Sequence, residues 1–188
     1  DGTIRDIAVG LNNEIYIAGS FTASGSVSTR RVGVWENGSW TGFGDGLSKT
    51  ARSISVADNG NLIVGGEFSM AGSVEANRVA VWDGSGWSAL GDGVNGTVHA
   101  VETVGNDVFV GGEFIKSGAI TSNRIAKWNG NWSALGTGVR IDYTITAGGQ
   151  LTLTYLTSVG VGGTFKFLFR NNIGEESFIS GNFLSHFE

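Results

Sequence analysis

Six tryptophans, at 35, 40, 82, 87, 128 and 132, are the side chains in this sequence best suited to bind something. An indole face is a good platform for a sugar ring, through apolar contact and CH–π geometry. Glu67 and Glu113 each follow a Gly-Gly pair, and a pair of carboxylates at the right separation is what glycoside hydrolysis requires. Arg31, Arg78 and Arg124 each close a polar loop and open an apolar run, so they suit a ring around a pore or an acidic ligand. Asp45 and Asp92 lie in Gly-Asp-Gly turns, with Thr137 at the third equivalent position. His99 and His186 are the only histidines.

Spacing decides how these residues are read. Val64-Gly65-Gly66-Glu67-Phe68 is followed by Arg78-Val79-Ala80-Val81-Trp82-Asp83-Gly84 and Trp87-Ser88-Ala89-Leu90-Gly91. The pattern occurs three times, with Phe21, Phe68 and Phe114 separated by 47 and 46 residues. Trp35, Trp82 and Trp128 keep that spacing, as do Arg31, Arg78 and Arg124, and Trp40, Trp87 and Trp132 follow in the same frame. Recurrence in one register favours packing between units over a ligand site, since ligand sites usually break repeat symmetry. Each guanidinium then ties loop carbonyls or pairs with a nearby acid. The first repeat has Ser20 where the others have Glu67 and Glu113, so the arginine does not depend on a glutamate of its own repeat.

Signals of catalysis are poor. There is no Gly-x-Ser-x-Gly elbow, no His-Glu-x-x-His and no P-loop. Gly160-Val161-Gly162-Gly163-Thr164 is glycine-rich, but no basic helix start follows it. No Asp-x-Asp-x-Asp-Gly loop is present, so Asp58-Asn59-Gly60-Asn61 reads as a turn; a weak calcium site between repeats stays open, and no other cofactor is expected. No cysteine is available for disulfides, thiol catalysis or metal. The net charge of −5, with 12 scattered basic residues, argues against a nucleic-acid or anionic-membrane partner. No apolar run is long enough for a membrane span, so no membrane insertion is expected.

The elements that must carry these residues are short strands. In the second repeat Arg52 to Ala57 alternates, and Asp58-Asn59-Gly60-Asn61 predicts a hairpin with a type I′ turn. Leu62 to Phe68 is a nearly continuous apolar strand, as expected where both faces are covered. Ser69 to Asn77 reads as a polar loop, Arg78 to Asp83 as a third strand and Trp87 to Leu90 as a fourth. The first repeat gives Ile4 to Val9, Glu14 to Phe21, Arg31 to Trp35 and Trp40 to Phe43. The third gives Val98 to Val104, Val108 to Phe114, Arg124 to Trp128 and Trp132 to Leu135. No segment sustains a helical period, so no helix is predicted.

Four strands in about 40–50 residues are the signature of a β-propeller blade. The diglycine ending a strand and the Trp-Asp-Gly-x-x-Trp that follows resemble kelch-type blades. More closely, residues 4–139 resemble the GG-x-F…W-D-G-x-x-W-x-x-L-G-x-G-V repeats of bacterial surface proteins and of fungal cortical polarity-marker proteins. The resemblance implies an all-β, propeller-like array used as a binding scaffold, and names no ligand. The repeats fall at about 4–47, 51–94 and 98–139. Residues 140–188 depart from the pattern. There Ile141, Tyr143 and Ile145 alternate, as do Leu151, Leu153 and Tyr155, and Phe165, Phe167 and Phe169 line one strand. A degenerate fourth blade and a distinct β-module both stay open, with the module preferred because the Trp-Asp-Gly-Trp half is missing.

About three and a half units fall short of the usual four to eight blades, so the chain is expected to be a homo-oligomer or a part of a longer protein. The start at Asp1-Gly2-Thr3, directly in repeat sequence, agrees with a mature product or such a piece. The composition, free of Cys and rich in Gly, leans towards an extracellular, cell-surface or virion setting. The expected function is non-catalytic recognition or adhesion, binding a surface glycan or protein through the variable loops 22–30, 69–77 and 115–123. The loop candidates are Ser24, Ser26, Ser28, Met70, Ser73, Glu75, Lys116, Ser117 and Thr121. A fibre, tail or surface-layer subunit is the alternative, and a polysaccharide hydrolase comes third.

Overall fold

The structure, a computed structural model, describes residues 1–136 and the strands 142–145, 151–154, 164–170 and 176–182. Among the described residues the chain is all-β. Its first sheet is β1 (Ile4–Val9), β2 (Ile15–Gly19), β5 (Val32–Glu36) and β6 (Ser39–Gly42), hydrogen-bonded in that order. Between β2 and β5 the chain makes a small ribbon of β3 (Ala23–Ser24) and β4 (Val27–Ser28). The second sheet repeats this with β7 (Ala51–Val56), β8 (Leu62–Gly66), β11 (Val79–Trp82) and β12 (Trp87–Ala89), and its ribbon is β9 (Met70–Ala71) with β10 (Val74–Glu75). The third has β13 (Val98–Val104), β14 (Asp107–Gly112), β17 (Ile125–Trp128) and β18 (Trp132–Ala134), with a ribbon of β15 (Lys116–Ser117) and β16 (Ile120–Thr121). All pairings are antiparallel. The four strands expected for each repeat are therefore present. The loops expected between the second and third strands are not plain loops, because each contains a two-residue ladder.

The sheets pack face to face, with β7 beside both β1 and β13. Alternation along the strands gives each sheet two apolar faces. Ala18, Val32 and Val34 of the first sheet share one core with Ile54, Leu62, Val64, Ala80 and Trp87 of the second. Ile63 and Val79, on the other face of the second sheet, share a second core with Val98, Val101, Val108, Val110 and Ala126 of the third. This explains why β8 is buried along its whole length. Gly65 permits the close approach: a Cβ there would lie 2.4 Å from Val98 Cγ1 and 2.7 Å from Val101 Cγ1.

Each first strand carries a register shift at the same place, between Ile4 and Asp6, Ala51 and Ser53, and Val98 and Ala100. The bulge turns the next backbone N–H towards the preceding sheet. Ile54 N donates to Asp6 Oδ2 (2.9 Å), and Val101 N donates to Ser53 Oγ (3.2 Å). Ser53 Oγ in turn donates to Asp6 Oδ2 (2.9 Å), so one polar relay crosses three sheets. One turn differs from the sequence reading. Of residues 58–61 only Gly60 has positive φ (83°), which leaves Asn59 outside the left-handed region that a type I′ turn needs. The type I′ geometry occurs instead at Asn37-Gly38 (φ 49° and 79°), between β5 and β6.

Beyond residue 136, strands Asp142–Ile145 and Leu151–Thr154 pair antiparallel, with Tyr143 opposite Leu153. Strands Thr164–Arg170 and Glu176–Asn182 form a second two-stranded sheet. Whether these strands make a fourth blade or a separate module lies outside the described residues, as do Thr137, His186 and the 160–163 glycine run.

Candidate functional site

The three ribbons are lined up by the linkers between sheets. Leu47 N donates to Arg30 O, and Leu47 bridges Ala71, so the first linker runs between the first and second ribbons. Val94 does the same between Asn77 and Ser117. A side-chain acceptor anchors each ribbon. Asp1 Oδ1 accepts from Thr22 N and Ala23 N, Ser48 Oγ from Ser69 N and Met70 N, and Asn95 Oδ1 from Ile115 N and Lys116 N. Asp1, Ser48 and Asn95 are spaced by 47 residues, a periodicity hidden in the sequence because the three residue types differ.

Between the first and second ribbons lies an open cleft of about 930 Å³. Ser26 and Ser28 line one side, Ser48 and Met70 the other, and Arg30, Arg31 and Asp45 carry its charge. Arg31 is tied to Leu47 O, whereas among the described residues neither Arg30 nor Asp45 has a hydrogen-bond or ion-pair partner for its side chain. The structure thus brings Ser26, Ser28 and Met70 into one cleft. Ser73, Glu75, Lys116 and Thr121 are exposed on the later ribbons and do not line it. Two loop candidates are inside: Ser24 and Ser117 are buried. Ser24 Oγ bonds Thr29 Oγ1 (3.1 Å), whereas Ser117 Oγ and Ser122 Oγ have no partner among the described residues. Their alternation along two-residue strands points them under the ribbons and away from solvent. Arg30 is the last residue of the predicted loop 22–30, and Asp45, read from sequence only as part of a Gly-Asp-Gly turn, joins it because the linker runs beside the ribbon.

The repeat arginines hold the framework. Arg31, Arg78 and Arg124 all have left-handed φ (81°, 69° and 72°) at the start of the third strand. Arg78 Nη1 donates to Phe68 O (3.1 Å), at the head of its own loop, whereas Arg31 Nη1 donates to Leu47 O (2.6 Å) in the linker and not to the carbonyls of loop 22–30. The glutamates are held from the bulges: Glu67 pairs with Arg52 (2.5 Å) and Glu113 with His99 (2.9 Å).

The tryptophans form edge-on or tilted pairs, Trp35–Trp40, Trp82–Trp87 and Trp128–Trp132, with centroids 5.3–5.4 Å apart. The second member joins sheets: Trp87 Nε1 donates to Phe43 O (3.0 Å) and Trp132 Nε1 to Leu90 O (2.9 Å). Phe21, Phe68 and Phe114 are fully inside. At the end of the sheets away from the ribbons, Trp82 lines a groove of about 290 Å³ with Tyr16, Asn59, Asn61 and Asp83. Asp83 there is lowered to about 2 by the hydroxyl of Ser85 and by the backbone N–H groups of Ser85 and Gly86. Burial raises Tyr16, with Glu14 and Glu36 adding to the shift. Among the described residues no three acidic or histidine side chains cluster as metal ligands, and no helix is long and apolar enough to cross a membrane.

Comparison with protein-family models, with curated proteins and with solved structures finds no match to this chain.

Proposed function

We propose that the three sheets are blades of a β-propeller scaffold, and that the protein is a non-catalytic recognition module for a surface glycan or protein outside a cell or on a virion. The ribbons are its binding edge. One observation carries this reading: the open cleft sets the unpaired charges of Arg30 and Asp45 among the hydroxyls of Ser26, Ser28 and Ser48. Such a lining offers donors and acceptors to a hydroxyl-rich ligand with little apolar surface, the chemistry of a glycan. The scaffold recurs while the ribbon tips vary, which is how binding proteins separate stability from specificity. The ion pair of Glu67 with Arg52 and the hydrogen bond between Glu113 and His99 favour a structural role for both over a catalytic pair.

A glycan and protein array tests the reading. A ligand captured by the wild type should lose at least about tenfold in affinity on Arg30→Ala or Asp45→Asn. Unchanged capture by both variants would remove the cleft from the account. Activity on polysaccharides that disappears in Glu67→Gln would instead favour the hydrolase reading.

A further inference from the structure

Among the described residues, the two faces by which neighbouring sheets meet are both left open at the ends of the row. Each contact inside the chain has three parts. The first is a knob set into a notch. Between the first and second sheets Ala18 and Ala51 are both fully buried in the shared core. Between the second and third the notch residue is Gly65, and the larger Val98 fills it. A smaller notch is thus matched by a larger knob. The second part is the indole bond from Trp87 to Phe43 O and from Trp132 to Leu90 O. The third is the acceptor that meets the bulge N–H of Ile54 and Val101.

At the outer face of the first sheet the knobs are unpartnered. Ile4 and Ile7, the repeat equivalents of Val98 and Val101, are 49% and 58% exposed, while Val98 and Val101 are 0% and 5% exposed. Val9, Leu11 and Trp35 are exposed with them. Among the described residues no carbonyl receives the Trp40 indole. At the outer face of the third sheet the notch is Gly111, where among the described residues nothing lies nearer than 3.9 Å to an added Cβ. Leu135, the equivalent of Phe43 and Leu90, is 37% exposed. Even the third part agrees. Ala100 stands where Asp6 and Ser53 stand and offers no acceptor, and Ile7 N needs none, because its own Asp6 Oδ1 already accepts it (2.9 Å).

We propose that copies of this chain associate head to tail, the Ile4/Ile7 face of one first sheet seating on the Gly111 face of another copy's third sheet, with Trp40 donating to Leu135 O across the contact. Ile4 is the largest of the three knobs, and Gly111, like the Gly65 that receives Val98, has no side chain to oppose it. Two copies joined in this way at both ends bring six sheets together, which on the propeller reading lies within the usual four to eight blades. The face match itself does not depend on that reading or on any ligand.

Light scattering and sedimentation of the whole chain test this. The wild type should give at least twice the 19.6 kDa chain mass. Ile7→Glu buries an unpaired charge in the contact and should weaken association about a hundredfold or more. Gly111→Val fills the notch; φ at Gly111 is not left-handed and valine suits a strand, so circular dichroism and melting should show an intact fold. It too should give monomer. Mixing the two variants should restore a dimer, because one knob face and one notch face stay intact. A wild type that remains monomeric, a Gly111→Val variant that still associates, or a mixture that does not pair would overturn the proposal. Recovery of oligomer without any array binding would count against the recognition reading alone.

Discussion

Replacing Asp6 by alanine should unfasten all three sheets at once. Its Oδ2 accepts from Ser53 Oγ and from Ile54 N, both at 2.9 Å, and Ser53 Oγ accepts from Val101 N. Hydrogen bonds to a carboxylate contribute about 1.5–3 kcal/mol each, and Asp6 is half-buried, which argues for the lower end. Two such bonds give about 3 kcal/mol lost in Asp6→Ala. Ser53→Ala removes one of them and also strands Val101 N in a buried setting, so about 2 kcal/mol is expected. The Asp6–Ser53 bond is counted in both, so the double variant should fall short of the sum by about 1–1.5 kcal/mol. Urea melts of the four proteins measure this, with the oligomer dissociated by Ile7→Glu in each so that only folding is read. Asp6→Ala within about 0.5 kcal/mol of its parent, or strict additivity of the pair, would show that the relay does not join the sheets.

Four other outcomes follow. Gly65→Ala drives a Cβ into Val98 and Val101, and overpacking of that kind costs about 1–3 kcal/mol in a denaturant melt; a neutral result would mean that the sheets separate freely. Arg78→Gly should be about 1 kcal/mol more stable than Arg78→Ala, because both lose the Phe68 carbonyl bond while only glycine accepts the left-handed φ without strain. Asp83 is depressed from 3.8 to about 2, so the stability it contributes is present above pH 3.8 and lost as pH falls through about 2; Asp83→Asn should flatten the acid limb of a melting-temperature profile there. Ser117 and Ser122 are buried with unpaired hydroxyls where the second repeat has Ala71 and Ala76, so the double alanine variant should gain about 1–3 kcal/mol, and a loss would point to a partner for them beyond residue 136.

The four strands of each repeat in residues 1–136 were legible because the repeat marks each with its own signal, alternation, the diglycine or the Trp pair; the ends were not, and the second strands stop at Gly19, Gly66 and Gly112, short of the phenylalanines. The Phe and Trp positions were legible as packing for the same reason. The ribbons were not, since Ala23-Ser24 or Lys116-Ser117 is too short to show a period, and pairing over two residues depends on anchors such as Asn95 that are distant in sequence. That the ladder would hide Ser24 and Ser117 was likewise invisible. The pairing of the bulge residues Arg52 and His99 was not legible, because their partners Glu67 and Glu113 lie 15 and 14 residues away, just past the end of the next strand. That Arg30 and Asp45 meet was not legible, because the cleft they line is made by a linker folding back on a ribbon, which periodicity does not encode.

The places where the repeats disagree are more informative than those where they agree. Positions 6, 53 and 100 run Asp, Ser, Ala. The relay runs from Val101 N, which donates to Ser53 Oγ, to Ser53 Oγ, which donates to Asp6 Oδ2, while Asp6 Oδ1 accepts from its neighbour Ile7 N; Ala100 has no side-chain acceptor to extend it. Positions 18, 65 and 111 run Ala, Gly, Gly, while the facing knobs 51 and 98 run Ala, Val. A repeat selected only for uniform stacking would keep one residue at each place. These series change along the chain, and each change is balanced across the contact it belongs to. In the two contacts described, notch and knob change together, the smaller notch facing the larger knob. On the head-to-tail proposal, Ile4 and Ile7 at one end and Gly111 at the other, without a partner among the described residues, are each the complement the other lacks.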